Sequence, residues 1–150
     1  MSSFFAFLHH VAAFALVAAL SVEFVLIKGD LTAASARKVR LADLALGASA
    51  STLLVVGFLR VFFFEKGASY YFHSVPFIAK LSLFVLLALV SIYPTIVFQS
   101  WEKALKQGRV PSVDPRKLRA IRTVIHLELV GVVLIMLFAA LMAHGVGYLG

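Results

Sequence analysis

The chain of 150 residues contains no cysteine. Disulfides, thiolate metal ligands and the C-x-x-C-H attachment of c-type haem are therefore excluded. Charge is also scarce, at 14% of residues, and acidic charge scarcer still, with seven Asp and Glu against 14 Lys and Arg. A soluble domain of this length needs far more polar surface. No H-E-x-x-H run, nucleotide-binding loop or serine-nucleophile motif occurs. The first residues, MSSFFAF, lack a basic n-region, and Glu23 and Lys28 stand where a small-residue cleavage site belongs, so a cleaved signal peptide is not expected. No internal repeat or low-complexity tract stands out.

What is present is apolar sequence. Hydrophobic residues make up 62% of the chain, and mean hydropathy is +1.00. Runs of about 20 apolar residues are long enough to cross a bilayer. Four fit, over 4–27, 41–64, 76–98 and 123–148. Continuous runs favour helices, because a barrel shows short alternating segments. The expected fold is all-α, a single four-helix transmembrane bundle.

The net charge of +7 is placed by position. Lys28, Arg37, Lys38 and Arg40 lie between the first two runs; Lys103, Lys106, Arg109, Arg116, Lys117, Arg119 and Arg122 lie between or beside the last two. The middle connection holds Lys66 alone. Basic loops stay in the cytoplasm, which puts both termini on the periplasmic side of a bacterial inner membrane. This pattern suits anionic lipid head groups and gives no nucleic-acid site.

Polar residues inside lipid-spanning runs need a reason, since a charge at the bilayer centre costs roughly 2.5–3.5 kcal/mol on insertion scales. Helical phase sorts them. His9 and Glu23 fall within about 40° of one face, in a stripe with Ala12, Ala13, Ala19 and Leu20, while His10 is rotated away by about 100°. In the second run Asp43, Gly47, Ala50, Leu54 and Gly57 form a candidate packing seam, with Arg60 and Glu65 at its outer end. Lys80 follows Pro76 by one turn. Pro94 removes a helix bond and predicts a kink, with Ser91 and Thr95 placed to satisfy the freed groups. Trp101 marks the interface. His126 and His144 share a face, while Glu128 lies about 200° from His126. Two layers result: an outer one of His9, His10, Arg60, Glu65, His73, Lys80 and His144, and an inner polar network of Glu23, Asp43, Tyr93, His126 and Glu128. Glu23→Ala is expected to be mild, because it also removes a desolvation cost; a severe loss of folded protein would point to a buried partner such as Arg122 or His126.

The elements Leu8-His9-His10, Glu23, Arg60, Glu65-Lys66-Gly67, Tyr70-Tyr71, Lys80, Ser91-Ile92-Tyr93-Pro94-Thr95 and Trp101 resemble a family of predicted four-span bacterial membrane proteins of unknown function. The resemblance covers nearly the whole chain. It implies a topology and no activity. A fainter similarity links the early histidine of the first span and Lys80 to four-helix, haem-associated protoporphyrinogen oxidases and to copper-resistance membrane proteins. That similarity implies a haem-linked histidine and an activity-linked lysine.

Three function classes follow. The first is a b-type haem or related tetrapyrrole in an outer-leaflet pocket, with His9 or His10 on the iron, His144 or His73 opposing, and Lys80 or Arg60 pairing propionates. The second is a non-catalytic accessory or structural subunit of a larger membrane complex, or a homo-oligomer, packed through the Gly47–Gly57 seam. The third is an ion-coupled transporter with His9, Glu23 and His126 handling protons.

Overall fold

The computed structural model describes residues 2–64, 67–147 and 149. Four long helices dominate: α1 (Ser2–Lys28), α2 (Ala33–Leu59), α4 (Val75–Ser100) and α6 (Pro115–Ala143). Short helices α3 (Ala68–Phe72) and α5 (Glu102–Lys106) lie in two of the connections, and a π-helical turn, Arg60–Phe64, extends α2. Each long helix is long and apolar enough to cross a membrane, yet only 11–28% of its most apolar window is buried within the bundle. Phe7, Phe14, Leu44, Leu89 and Val133 point outward, as lipid-facing residues do. The chain is an integral membrane protein.

Helices α2 and α6 begin earlier than the apolar runs, at 33 and 115 rather than 41 and 123. Local capping explains this. Thr32 and Ser35 form a capping box, with Ser35 N–H donating to Thr32 Oγ1 at 3.0 Å and Thr32 N–H to Ser35 Oγ at 2.8 Å. Asp114 caps α6 by accepting from Arg116 N–H at 2.8 Å, and Pro115 supplies the first helical residue. The added turns are polar and carry arginines that bind neighbouring carbonyls. Arg122 Nε donates to Ile27 O at 3.0 Å, and Arg37 donates to Leu105 O at 3.1 Å. Guanidinium groups thus sit at the C-terminal ends of α1 and α5, where helix dipoles favour cations.

At the other end α6 stops at Ala143, not 148, because Gly145 and Gly147 adopt φ of +70° and +74°, a conformation that ends a helix. The following backbone pairs with the start of α4: Val75 N–H donates to Gly147 O, and Leu149 N–H to His73 O, both at 3.0 Å.

The helices form a ring in the order α1, α2, α4, α6. The α1–α2 and α4–α6 seams are the tightest, α1–α6 is intermediate, and α2–α4 is the loosest. Leu87 of α4 packs directly on Gly131 of α6, where any Cβ would collide with it. The main core lies toward the basic loops and includes Leu20, Val39, Phe98, Trp101, Ile121 and Ile125. Trp101 is buried there against Phe98, with ring centroids 5.0 Å apart. It is a core residue rather than an interfacial marker. A smaller cluster of Val61, Tyr71 and Phe77 closes the opposite end.

The seam on α2 is displaced from its expected course. Ala36, Val39, Ala42, Asp43, Leu46, Ser49 and Val56 are buried, whereas Gly47 and Leu54 are exposed. Small and apolar residues surround this helix on every side, so composition alone does not fix its inward face. Helix α4 continues through Pro94, which is itself buried.

Candidate functional site

All four long helices contribute to one polar layer in the half of the bundle toward the basic loops. Glu23 comes from α1, Asp43 from α2 and Glu128 from α6, with Ser91 and Thr95 from α4. The three carboxyl side chains belong to residues only 1%, 9% and 5% exposed, in that order. They stand near enough to act electrostatically on one another. Thr95 Oγ1 donates to Asp43 Oδ1 at 2.7 Å, and the Ser91 hydroxyl lies near enough to act on the Glu128 carboxyl. The two hydroxyls around Pro94 therefore serve neighbouring carboxyls, not the carbonyl that proline leaves unpaired. Glu23 Oε1 is buried with no hydrogen-bond partner among the described residues.

Cations do not complete this layer. Arg122, a conditional candidate as partner of Glu23, is engaged with Ile27 O. His126, the other, lies on the outer surface of α6, with Nδ1 2.7 Å from Arg122 O and its ring edge-on to Phe24 at 4.8 Å. It takes no part in the network with Glu128, as their angular separation on α6 requires. Arg40, one turn before Asp43, is the cation whose charge reaches the layer. Among the described residues no group of three His, Asp or Glu side chains stands close enough to hold a metal ion.

A second cluster lies toward the chain termini and has the opposite sign. His9 of α1, Arg60 of the π-helical turn and Lys80 of α4 act on one another electrostatically. His9 is half-buried, and its ring lies over Gly57, where an added Cβ would be 3.5 Å from Cε1. Its Nδ1 is buried with no hydrogen-bond partner among the described residues. Lys80 Nζ sits 5.3 Å from the centroid of Phe77. Glu65, expected beside Arg60, lies outside the described residues.

The other histidines behave differently from His9. His10, His73 and His126 are all exposed, and each places Nδ1 2.6–2.7 Å from the carbonyl four residues back on its own helix. His144 is exposed in the turn after α6. The structure thus brings His9, Arg60 and Lys80 together and leaves His10 and His144 facing outward. Tyr93 is likewise exposed.

One feature without a signal in the sequence is a groove of about 560 Å³ at the basic end, lined by Arg37, Arg40, Leu41, Asp43, Leu44, Phe98, Gln99 and Glu102. It follows the loose seam between α2 and α4. Arg40 pairs with Glu102 at 3.2 Å across it, and Lys106 holds the other Glu102 oxygen at 2.6 Å. A smaller groove of about 190 Å³, beside Trp101 and Asp114, lies elsewhere on α4.

No curated protein and no solved structure matches the chain. One family does, over residues 1–147, and its description is "Predicted membrane protein (DUF2214)". The match spans all four long helices and both polar clusters, and the chain belongs to this family of membrane proteins.

Proposed function

We propose that the protein handles protons within the membrane, with Glu23 as the central proton-holding group. One observation carries this reading. Glu23 is the most deeply buried member of a three-carboxyl layer, has an unpartnered oxygen, and forms no ion pair among the described residues. A buried carboxylate is stable when paired with a cation, bound to a metal or protonated. The layer lacks both a neighbouring cation at Glu23 and the spacing for a metal ion, which leaves the proton. Ionisable groups inside spanning helices are a common device of ion-coupled proteins. The distribution of basic loops supports a bacterial inner-membrane location with both termini periplasmic. Four helices are few for a monomeric transporter, so a homodimer is the assembly this reading calls for.

The test is proton movement into vesicles that contain the purified protein and a trapped pH dye, driven by a potassium diffusion potential. The wild type should acidify the lumen faster than empty vesicles, Glu23→Gln should abolish the difference, and Lys80→Gln should retain it. Equal rates for wild type and empty vesicles would remove the proton reading and favour an accessory subunit of a larger complex.

A second reading keeps a b-type haem at His9. The orphaned Nδ1 distinguishes His9 from the other histidines, and Lys80 and Arg60 stand beside it for propionates. In that case the haem would supply redox chemistry, while His9, Lys80 and Arg60 would hold it. A Soret band in protein produced with ample haem, lost in His9→Ala and kept in His10→Ala, is the expected outcome. A colourless wild type rejects it.

A further inference from the structure

The carboxyl layer is buried beside the main core. Ile121 and Ile125 of α6, Leu20 of α1 and Phe98 of α4 are fully buried around it. A proton needs a hydrated route through this wall. The groove between α2 and α4 offers one. It opens where helix packing is loosest, and its wall includes both Asp43 and the surface pair Arg40–Glu102. Asp43 is also the least buried of the three carboxyls. These observations are independent of Glu23's unpartnered oxygen.

Resting on the proton-handling reading, we infer that this groove is the aqueous entry to the carboxyl layer, with Asp43 its first acceptor and the Arg40–Glu102 ion pair a restraint on its mouth. A hydronium ion in the groove gives its proton to the Asp43 carboxylate and departs as water. Thr95 engages Oδ1, so Oδ2 is the receiving oxygen. Transfer from Asp43 to the Glu23 carboxylate restores the Asp43 carboxylate and leaves Glu23 as the acid. The groups facing Asp43 are Thr95 of α4, Arg40 of its own helix, and Glu23 and Glu128 across the bundle. Gln99 and Glu102 line the rim, and Arg37 is turned to Leu105 O. The rim therefore offers an acidic and a neutral polar side chain to water, with Leu41 and Leu44 as the apolar part of the groove's lining.

The chain has no cysteine, so an introduced one is the sole thiol. A thiol reacts with a charged, membrane-impermeant methanethiosulfonate only where water allows the thiolate to form. Asp43→Cys, Leu44→Cys and Gln99→Cys are to be compared with Leu134→Cys, an exposed site on α6, by intact mass in sealed vesicles. Reagent on the basic side should modify all three groove positions and leave Leu134→Cys unmodified. If Asp43→Cys does not fold, Leu44→Cys one residue along carries the test. Adding Arg40→Ala should raise the Leu44→Cys rate roughly two- to fivefold, the factor a surface ion pair is worth. Modification at Gln99→Cys alone, with Asp43→Cys and Leu44→Cys as slow as Leu134→Cys, overturns the entry. An unchanged rate in Arg40→Ala overturns the restraint. The proton assay separates the two ideas: flux with a dry groove removes this route and keeps the function, whereas a wet groove without flux removes the function.

Discussion

The bundle's two polar clusters differ in more than charge sign. The inner one sets Glu23, Asp43 and Glu128 beside the main core, with Thr95 of α4 hydrogen-bonded to Asp43 and Ser91 near Glu128. The outer one sets His9, Arg60 and Lys80 at a π-helical turn, near only the small Val61–Tyr71–Phe77 cluster. The inner layer is pre-organised by four helices. The outer cluster hangs on a helix end, where long side chains reach toward head groups. Fixed geometry thus coincides with the acidic groups and adaptable geometry with the basic ones. π-Helical turns recur at functional sites, so the looser cluster is the natural place for a ligand of variable shape, and the tighter one for a proton.

The sharpest way to break this contrast is to disturb the framework that holds the inner layer. Gly131→Leu drives a side chain into Leu87 and separates α4 from α6, and with them Ser91 from Glu128. Overpacking of this kind costs about 1–3 kcal/mol or more, which should appear as loss of monodisperse protein in detergent. A variant that melts like the wild type would show that α4 and α6 adjust freely and that the layer is not rigid.

A narrower cut is Thr95→Val, which keeps the volume and removes the donor to Asp43. A buried acceptor left unsatisfied costs about 1–3 kcal/mol. Thermal stability in detergent should fall. The matching change at the outer cluster is Lys80→Gln, which relieves repulsion from Arg60 and should leave stability equal or higher. If both variants lose stability to the same degree, the two clusters are equally structural and the contrast fails.

Much of this arrangement was legible in the sequence because apolar run length and helical phase are properties of single helices. Four spans, the inward stripe of His9 and Glu23, the rotation of His10 and the opposition of Glu128 and His126 all follow from residue spacing. Relations between helices do not. Ser91 and Thr95 sit beside Pro94 and read as local repair, yet they are turned to Glu128 and Asp43. The inward face of α2 was misplaced onto Gly47 and Leu54 because small residues occur all round it. The groove depends on α2 and α4 being the loosest pair, a consequence of packing that no stretch of either helix states.

The smallest expected effect concerns the outer contact between α1 and α2. Gly57 faces the His9 ring, and an added Cβ would stand 3.5 Å from Cε1, an ordinary van der Waals distance. Gly57→Ala should therefore fit without moving His9, and the gain of alanine over glycine inside a helix should offset any slight crowding. Stability should change by less than about 1 kcal/mol, unlike Gly131, where the same methyl meets Leu87 at once. The outer cluster should also keep its properties, read as unchanged reactivity of His9 toward diethyl pyrocarbonate. Gly57→Leu, in contrast, requires the ring to leave its place, and His9 should become as reactive as exposed His10. A large loss of stability from Gly57→Ala would mean that α1 and α2 lock as tightly at the outer end as at the inner one, and the division of the bundle into a fixed acidic half and an adaptable basic half would not stand.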